Sequence, residues 1–145
     1  MNNLQKITVL LISIFCFSCT GKAQSSISKQ EVKENTIEVF DFHTTNRCIT
    51  CKAIEANTQY TLETYFAQEL ESGKITFKVI NIDDDENYEL AKKFKASGTS
   101  LFLNIINSEN EKQVDLTAFA FTYGKKKDVF SEKLKNKIEK HLEKL

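Results

Sequence analysis

The chain has 145 residues, with 20 Lys or Arg matched by 20 Asp or Glu, 41% hydrophobic side chains and no Pro or Trp. This length suits one domain with a single core of ordinary size. The near-neutral balance, with no basic patch interleaved with aromatics, argues against a nucleic-acid partner.

Residues 1–23, MNNLQKITVLLISIFCFSCTGKA, pass from one Lys through an apolar run, Ile7 to Phe17, into small and polar residues. That order is characteristic of a secretory signal, and the run is too short to cross a bilayer as a helix. Two processing outcomes follow. The segment ending at Cys19 resembles a relaxed bacterial lipobox, which makes Cys19 a lipidation candidate, whereas GKA ending at Ala23 resembles an ordinary cleavage site. Both predict export, to a bacterial periplasm or to a membrane through a lipid anchor. Lys6 and Lys22 leave with residues 1–23, so the remaining 122 residues hold 18 bases and 20 acids, a formal charge of −2. Residues 24–35, QSSISKQEVKEN, have little to bury and predict a polar tether ahead of a domain over 36–145.

TIEVFDFH, Thr36 to His43, is β-branched and aromatic over a strand's length and predicts the first strand. From Cys48 to Leu70 the period changes: Cys51, Ile54, Thr58, Leu62, Tyr65 or Phe66, and Leu70 form one helical stripe, closed by Ser72-Gly73. KITFKVINI, Lys74 to Ile82, alternates and then turns wholly apolar, which predicts a second, central strand. DDDEN, Asp83 to Asn87, offers capping acids to a helix running to about Lys95, with Tyr88, Leu90, Ala91 and Phe94 as its contacts. Two strands, Ser100 to Ile106 and Gln113 to Phe121, predict a hairpin across the polar turn Asn107 to Lys112. The chain closes with a helix N-capped by Asp128, with Phe130, Leu134, Ile138, Leu142 and Leu145 on one face. Lys125 to Lys127 read as a solvated turn ahead of it. The expected order is βαβαββα, an α/β chain whose mixed four-stranded sheet has a parallel pair, an antiparallel hairpin and helices on both faces.

Of the four cysteines, Cys16 and Cys19 belong to the export segment, leaving Cys48 and Cys51 in the domain. A lone pair in an oxidising compartment tends towards a disulfide. Zinc wants four ligands and one CxxC gives two, with His43 and His141 on different elements, so no metal is expected. As a structural staple the pair is poor, because a bridge over two residues removes little entropy from the unfolded chain. Redox use is the favoured alternative, and Cys48 at a helix N-terminus would have its thiolate stabilised by unpaired amides and the helix dipole. Arg47 would favour that thiolate further. Asp41 either faces inward, where it could take the proton of Cys51, or faces solvent. His43 could titrate beside the site or simply pack at the strand end.

VFDFHTTNRCITCK resembles the active-site segment of the thioredoxins, and the element order over Thr36 to Leu145 is similar to theirs. The resemblance implies Cys48 as the attacking cysteine, Cys51 as the resolving one and Lys52 as the residue that commonly follows. ASGTSLFLNI resembles the substrate-groove loop and the strand after it, with Ser100 where the family has a cis-proline. A cis bond before a non-proline residue costs about 2.5–4 kcal/mol, so the Thr99–Ser100 peptide is expected to be trans or strained. Arg47 replaces the family's tryptophan. RCITCKAIE with NID more narrowly resembles small exported thioredoxin-like proteins of Bacteroidetes-type bacteria, labelled ArsF-like nitrophenyl compound nitroreductase subunits. A nitroreductase would need a redox cofactor, and no Gly-rich nucleotide fingerprint is present, so no cofactor is expected. The implied function is cofactor-free thiol:disulfide exchange with cysteine-containing exported proteins or a membrane electron donor. The alternative is a binding or accessory module, for partner docking or metal handling, with a structural CxxC.

Overall fold

A computed structural model describes residues 35–145; the expected signal over 1–23, with Cys19, and most of the expected tether lie outside them. Strand β1, Thr36–His43, runs as the sequence predicts. It leads into helix α1, Ile49–Tyr65, which breaks at Phe66 before the short α2, Ala67–Glu71. The expected single helix is thus two, because Phe66 leaves the helical conformation (φ −133°) as its ring enters the core. Gly73, at φ +74°, supplies the left-handed turn after α2 that a side chain would disfavour.

Strand β2, Ile75–Asn81, pairs parallel with β1. A 3-10 turn, Asp85–Asn87, precedes helix α3, Tyr88–Phe94. β3, Ser100–Ile106, pairs antiparallel with β1 and with β4, Glu111–Asp115. Helices α4, Thr117–Tyr123, and α5, Lys127–Leu142, complete the chain.

The sheet order is β2-β1-β3-β4. With a parallel β1–β2 pair and an antiparallel β3–β4 hairpin, this is the thioredoxin-like α/β arrangement. The centre belongs to β1, not to β2 as expected: β3 takes the free edge of β1 and strands β2 on the outside, with Val79 exposed. The hairpin's second arm is also shorter than expected. Residues 117–121 are helical, because the Asp115 carboxylate accepts the Thr117 amide at 2.7 Å and Leu116 and Ala120 then bury at helical spacing. α5 starts one residue before Asp128, which lies in its first turn instead of capping it, where its charge suits the helix dipole. α3 begins late, without a side-chain cap, and Tyr88 faces solvent.

Alternation along β1 and β3 divides the core between two faces. Ile37, Val39, Leu101, Leu103 and Ile105 meet Ile54 and Leu62 of α1, Ala120 of α4, and Phe130, Leu134 and Ile138 of α5. Phe40, Phe42 and Phe102 turn the other way onto Phe94 of α3, with ring centroids 4.9–5.4 Å from its own. Helices therefore cover both faces of β1, and its C-terminal end is rigidly placed where the chain turns towards Cys48.

Candidate redox site

Four residues, Thr44 to Arg47, connect β1 to α1, and Cys48 occupies the N-cap with extended backbone, φ −74° and ψ 163°. Its Sγ accepts the Cys51 amide at 3.0 Å, so sulfur takes the part usually played by a Ser or Asp oxygen. One turn on, Cys51 is buried, while Cys48 and Ile49 are exposed, Ile49 by 83%. A disulfide joins the two cysteines. The amides of the first turn and the positive end of the α1 dipole converge on Cys48, an arrangement that favours a thiolate there on reduction.

Asp41 settles inward. It shares a face of β1 with Ile37 and Val39, beneath α1, and is fully buried. Its carboxyl is pushed up to about 7, mainly by burial, with Glu55 raising it further and Arg47 pulling the other way. Arg47 turns inward as well. Its side chain is 16% exposed, one guanidinium nitrogen pairs with Glu55 and another lies 3.7 Å from Asp41. Its charge is committed to two carboxylates beneath the site. Glu55 escaped the sequence reading. Its only signal is its spacing, one turn after Cys51 on α1.

The loop before Cys48 is tied to the segment after β2. Asp83 accepts the Thr45 amide at 2.8 Å, which holds its carboxyl below the ordinary range, and Asn81 donates to the Thr45 hydroxyl at 3.2 Å. The amide of Ile82 donates to the His43 carbonyl at 2.8 Å. Asp83 is therefore a loop anchor, not the helix cap expected, a role hidden because its partner lies 38 residues away. His43 is half-buried and its Nδ1 stands 2.9 Å from the Thr44 carbonyl, which fixes the ring at the strand end. Lys52 is exposed on α1, and its amide donates to the Cys48 carbonyl at 3.1 Å.

Ser100 pairs in register with Phe42, which brings Thr99 and Ser100 to the end of the sheet from which the chain leaves for Cys48. No peptide bond is cis among the described residues, so Thr99–Ser100 is trans. The Ser100 hydroxyl donates to the Gly98 carbonyl at 3.1 Å. Residues 95–100 line a cleft of about 220 Å³ with Phe102, Asp115 and Thr117. No group of three or more His, Cys, Asp or Glu is placed to hold a metal ion among the described residues.

No protein-family model and no curated protein matches the chain. Solved structures similar to it include a thioredoxin of Fasciola hepatica, 18% identical over 74% of this chain and 83% of that one, with a TM-score of 0.43. Mitochondrial thioredoxin 3 of Saccharomyces cerevisiae, in its oxidised form, is 19% identical over 64% and 79% of the two chains, with a TM-score of 0.41. Chloroplastic thioredoxin z is 17% identical over 68% and 78%, with a TM-score of 0.39. At that distance the likenesses say nothing of activity, and the fold class rests on the strand order and connectivity above.

Proposed function

We propose that the protein is a cofactor-free thiol:disulfide exchange protein of a bacterial envelope, exported by residues 1–23 and acting on cysteine-containing exported proteins or receiving electrons from a membrane donor. The observation that carries this reading is the position of the pair: a disulfide at the N-cap of α1, with an exposed first sulfur, a buried second one and a buried carboxyl on the strand beneath.

In the reducing direction, the Cys48 thiolate attacks one sulfur of a partner disulfide. A Cys48–partner bond forms, the partner's own S–S bond breaks, and its other sulfur leaves as a thiolate. Asp41 then takes the proton of Cys51 as general base, and the Cys51 thiolate attacks Cys48. The Cys48–Cys51 bond re-forms, the partner's remaining sulfur departs, and two electrons have passed to the partner. Run backwards, the same steps oxidise a dithiol. Ile49, bare beside the attacking sulfur, offers a partner an apolar contact. An accessory role beside a partner enzyme, the direction of the narrower resemblance, would use the same steps.

Equilibration in graded thiol/disulfide buffers, with free thiols counted by alkylation mass shift, tests the proposal. The pair is expected to titrate between about −270 and −120 mV, the span of exchange proteins. A pair still oxidised below about −300 mV would be a structural bridge and would sink the reading.

A further inference from the structure

We infer that Arg47 serves the resolving half of the exchange: it is a positioning residue that bridges Asp41 and Glu55 and keeps Asp41 ready to accept the proton of Cys51. The inference rests on the thiol-exchange reading and adds to it the residue that controls its second step.

A guanidinium next in sequence to Cys48 has an obvious use, as a positive charge beside the attacking sulfur. The structure directs it elsewhere. Arg47 turns inward, one nitrogen on Glu55 and another 3.7 Å from Asp41, with its side chain only 16% exposed. Glu55 lies four residues after Cys51, so it shares that face of α1 and stands one turn from the resolving sulfur. Two acids and one base thus gather beneath the first turns of α1. Neither Asp41 oxygen accepts a hydrogen bond among the described residues, so the charge of that carboxylate depends on Arg47.

The neighbours of Asp41 across the sheet are apolar. The register neighbours of Asp41 are Val79 on β2 and Leu101 on β3. α4 and α5 present Ala120, Phe130, Leu134 and Ile138 to this core. His43, two residues along the same face, contacts the Thr44 carbonyl, and its nearby acid is Asp83. Arg47 and Glu55 are the charged groups that act on Asp41.

Opposite effects follow from removing either partner. Without the Arg47 charge, Asp41 faces Glu55 alone in a dry site, keeps its own proton and loses its capacity as a base. Without the Glu55 charge, Arg47 acts on Asp41 undivided and Asp41 ionises more readily.

Reaction of the reduced protein with an aromatic disulfide that releases a coloured thiol separates the two steps in a stopped-flow trace. The first release reports attack by Cys48, the second resolution by Cys51. Arg47→Gln is expected to move the pH midpoint of the second phase up by about one unit, slowing it roughly tenfold at pH 6, since one unit is tenfold in the ionised fraction. Glu55→Gln should move it down, and Arg47→Lys should restore most of the parent profile. The first-phase midpoint should stay in place in all three. A shift confined to the first phase would mean that Arg47 serves the Cys48 thiolate, and the inference would fail. It would fail equally if the two Gln variants moved the second phase in the same direction or not at all. Should the parent show no second release at any pH, the exchange reading fails. The trio is then judged on the Asp41 carboxyl, titrated by carbon NMR in the oxidised protein, where unmoved midpoints in both Gln variants would overturn it.

Discussion

Asp41 makes the protein's stability depend on pH in a direction unusual for a carboxylate. Its proton is held up to about pH 7 in the folded protein, against an ordinary value of 3.8. Between those values the native state binds more protons than the unfolded one, so stability falls as pH rises through the window and is fully reduced above it. Asp41→Asn abolishes the ionisation without losing the volume. At pH 8 the variant is expected to be more stable than the parent by on the order of 4 kcal/mol, roughly three units at about 1.4 kcal/mol each. Urea unfolding at about pH 3, below the ordinary value of 3.8, should show the gap nearly closed, because Asp41 then holds its proton in both states. A constant difference across that range would mean that folding does not raise the Asp41 carboxyl. Under the proposed exchange the same variant should also slow the Cys51 step.

Among the elements, α4 meets α1 in a close contact at Gly124. The Gly124 carbonyl accepts the buried Asn57 amide at 2.8 Å. A Cβ on Gly124 would stand 2.6 Å from the Ala120 carbonyl and 2.8 Å from the Ile54 side chain. Gly124→Ala must therefore push α4 off α1, and a loss of about 1–3 kcal/mol is expected, read as a lowered urea midpoint with the slope unchanged. An unchanged midpoint would show that the junction can open without cost. This junction was illegible in the sequence because DLTAFAF satisfies two periods. Phe119 and Phe121 alternate as on a strand, while Leu116 and Ala120 repeat as on a helix, and the Asp115–Thr117 bond at the start favours the helix. β1 and the start of α1 were legible because each depends on local pattern: eight β-branched, aromatic or polar residues in strand order, then a CxxC where the period changes. The edge position of β2 was hidden for the opposite reason, since β3, from much later in the chain, decides which strand is central. The anchoring role of Asp83 and the presence of Glu55 at the site were both hidden, because their partners lie 38 and eight residues away and residue type does not identify them.

Across the whole molecule, stability is shared between an aliphatic core under α1, α4 and α5 and a phenylalanine core under α3. Phe94 supplies the only α3 ring in the second core and touches Phe40, Phe42 and Phe102. Phe94→Ala is expected to cost about 3–5 kcal/mol, measured by thermal or urea unfolding. A loss below about 1 kcal/mol would mean that the remaining rings close over the space. β1 is a partition between these two cores, and its residues alternate between them: Phe40 and Phe42 look one way, Asp41 the other. A partition cannot be shifted on one side alone. A ring removed at the back loosens the packing of the same strand that carries Asp41 on its other side. The face that carries Asp41 is thus held in place from behind, by rings buried in the opposite core.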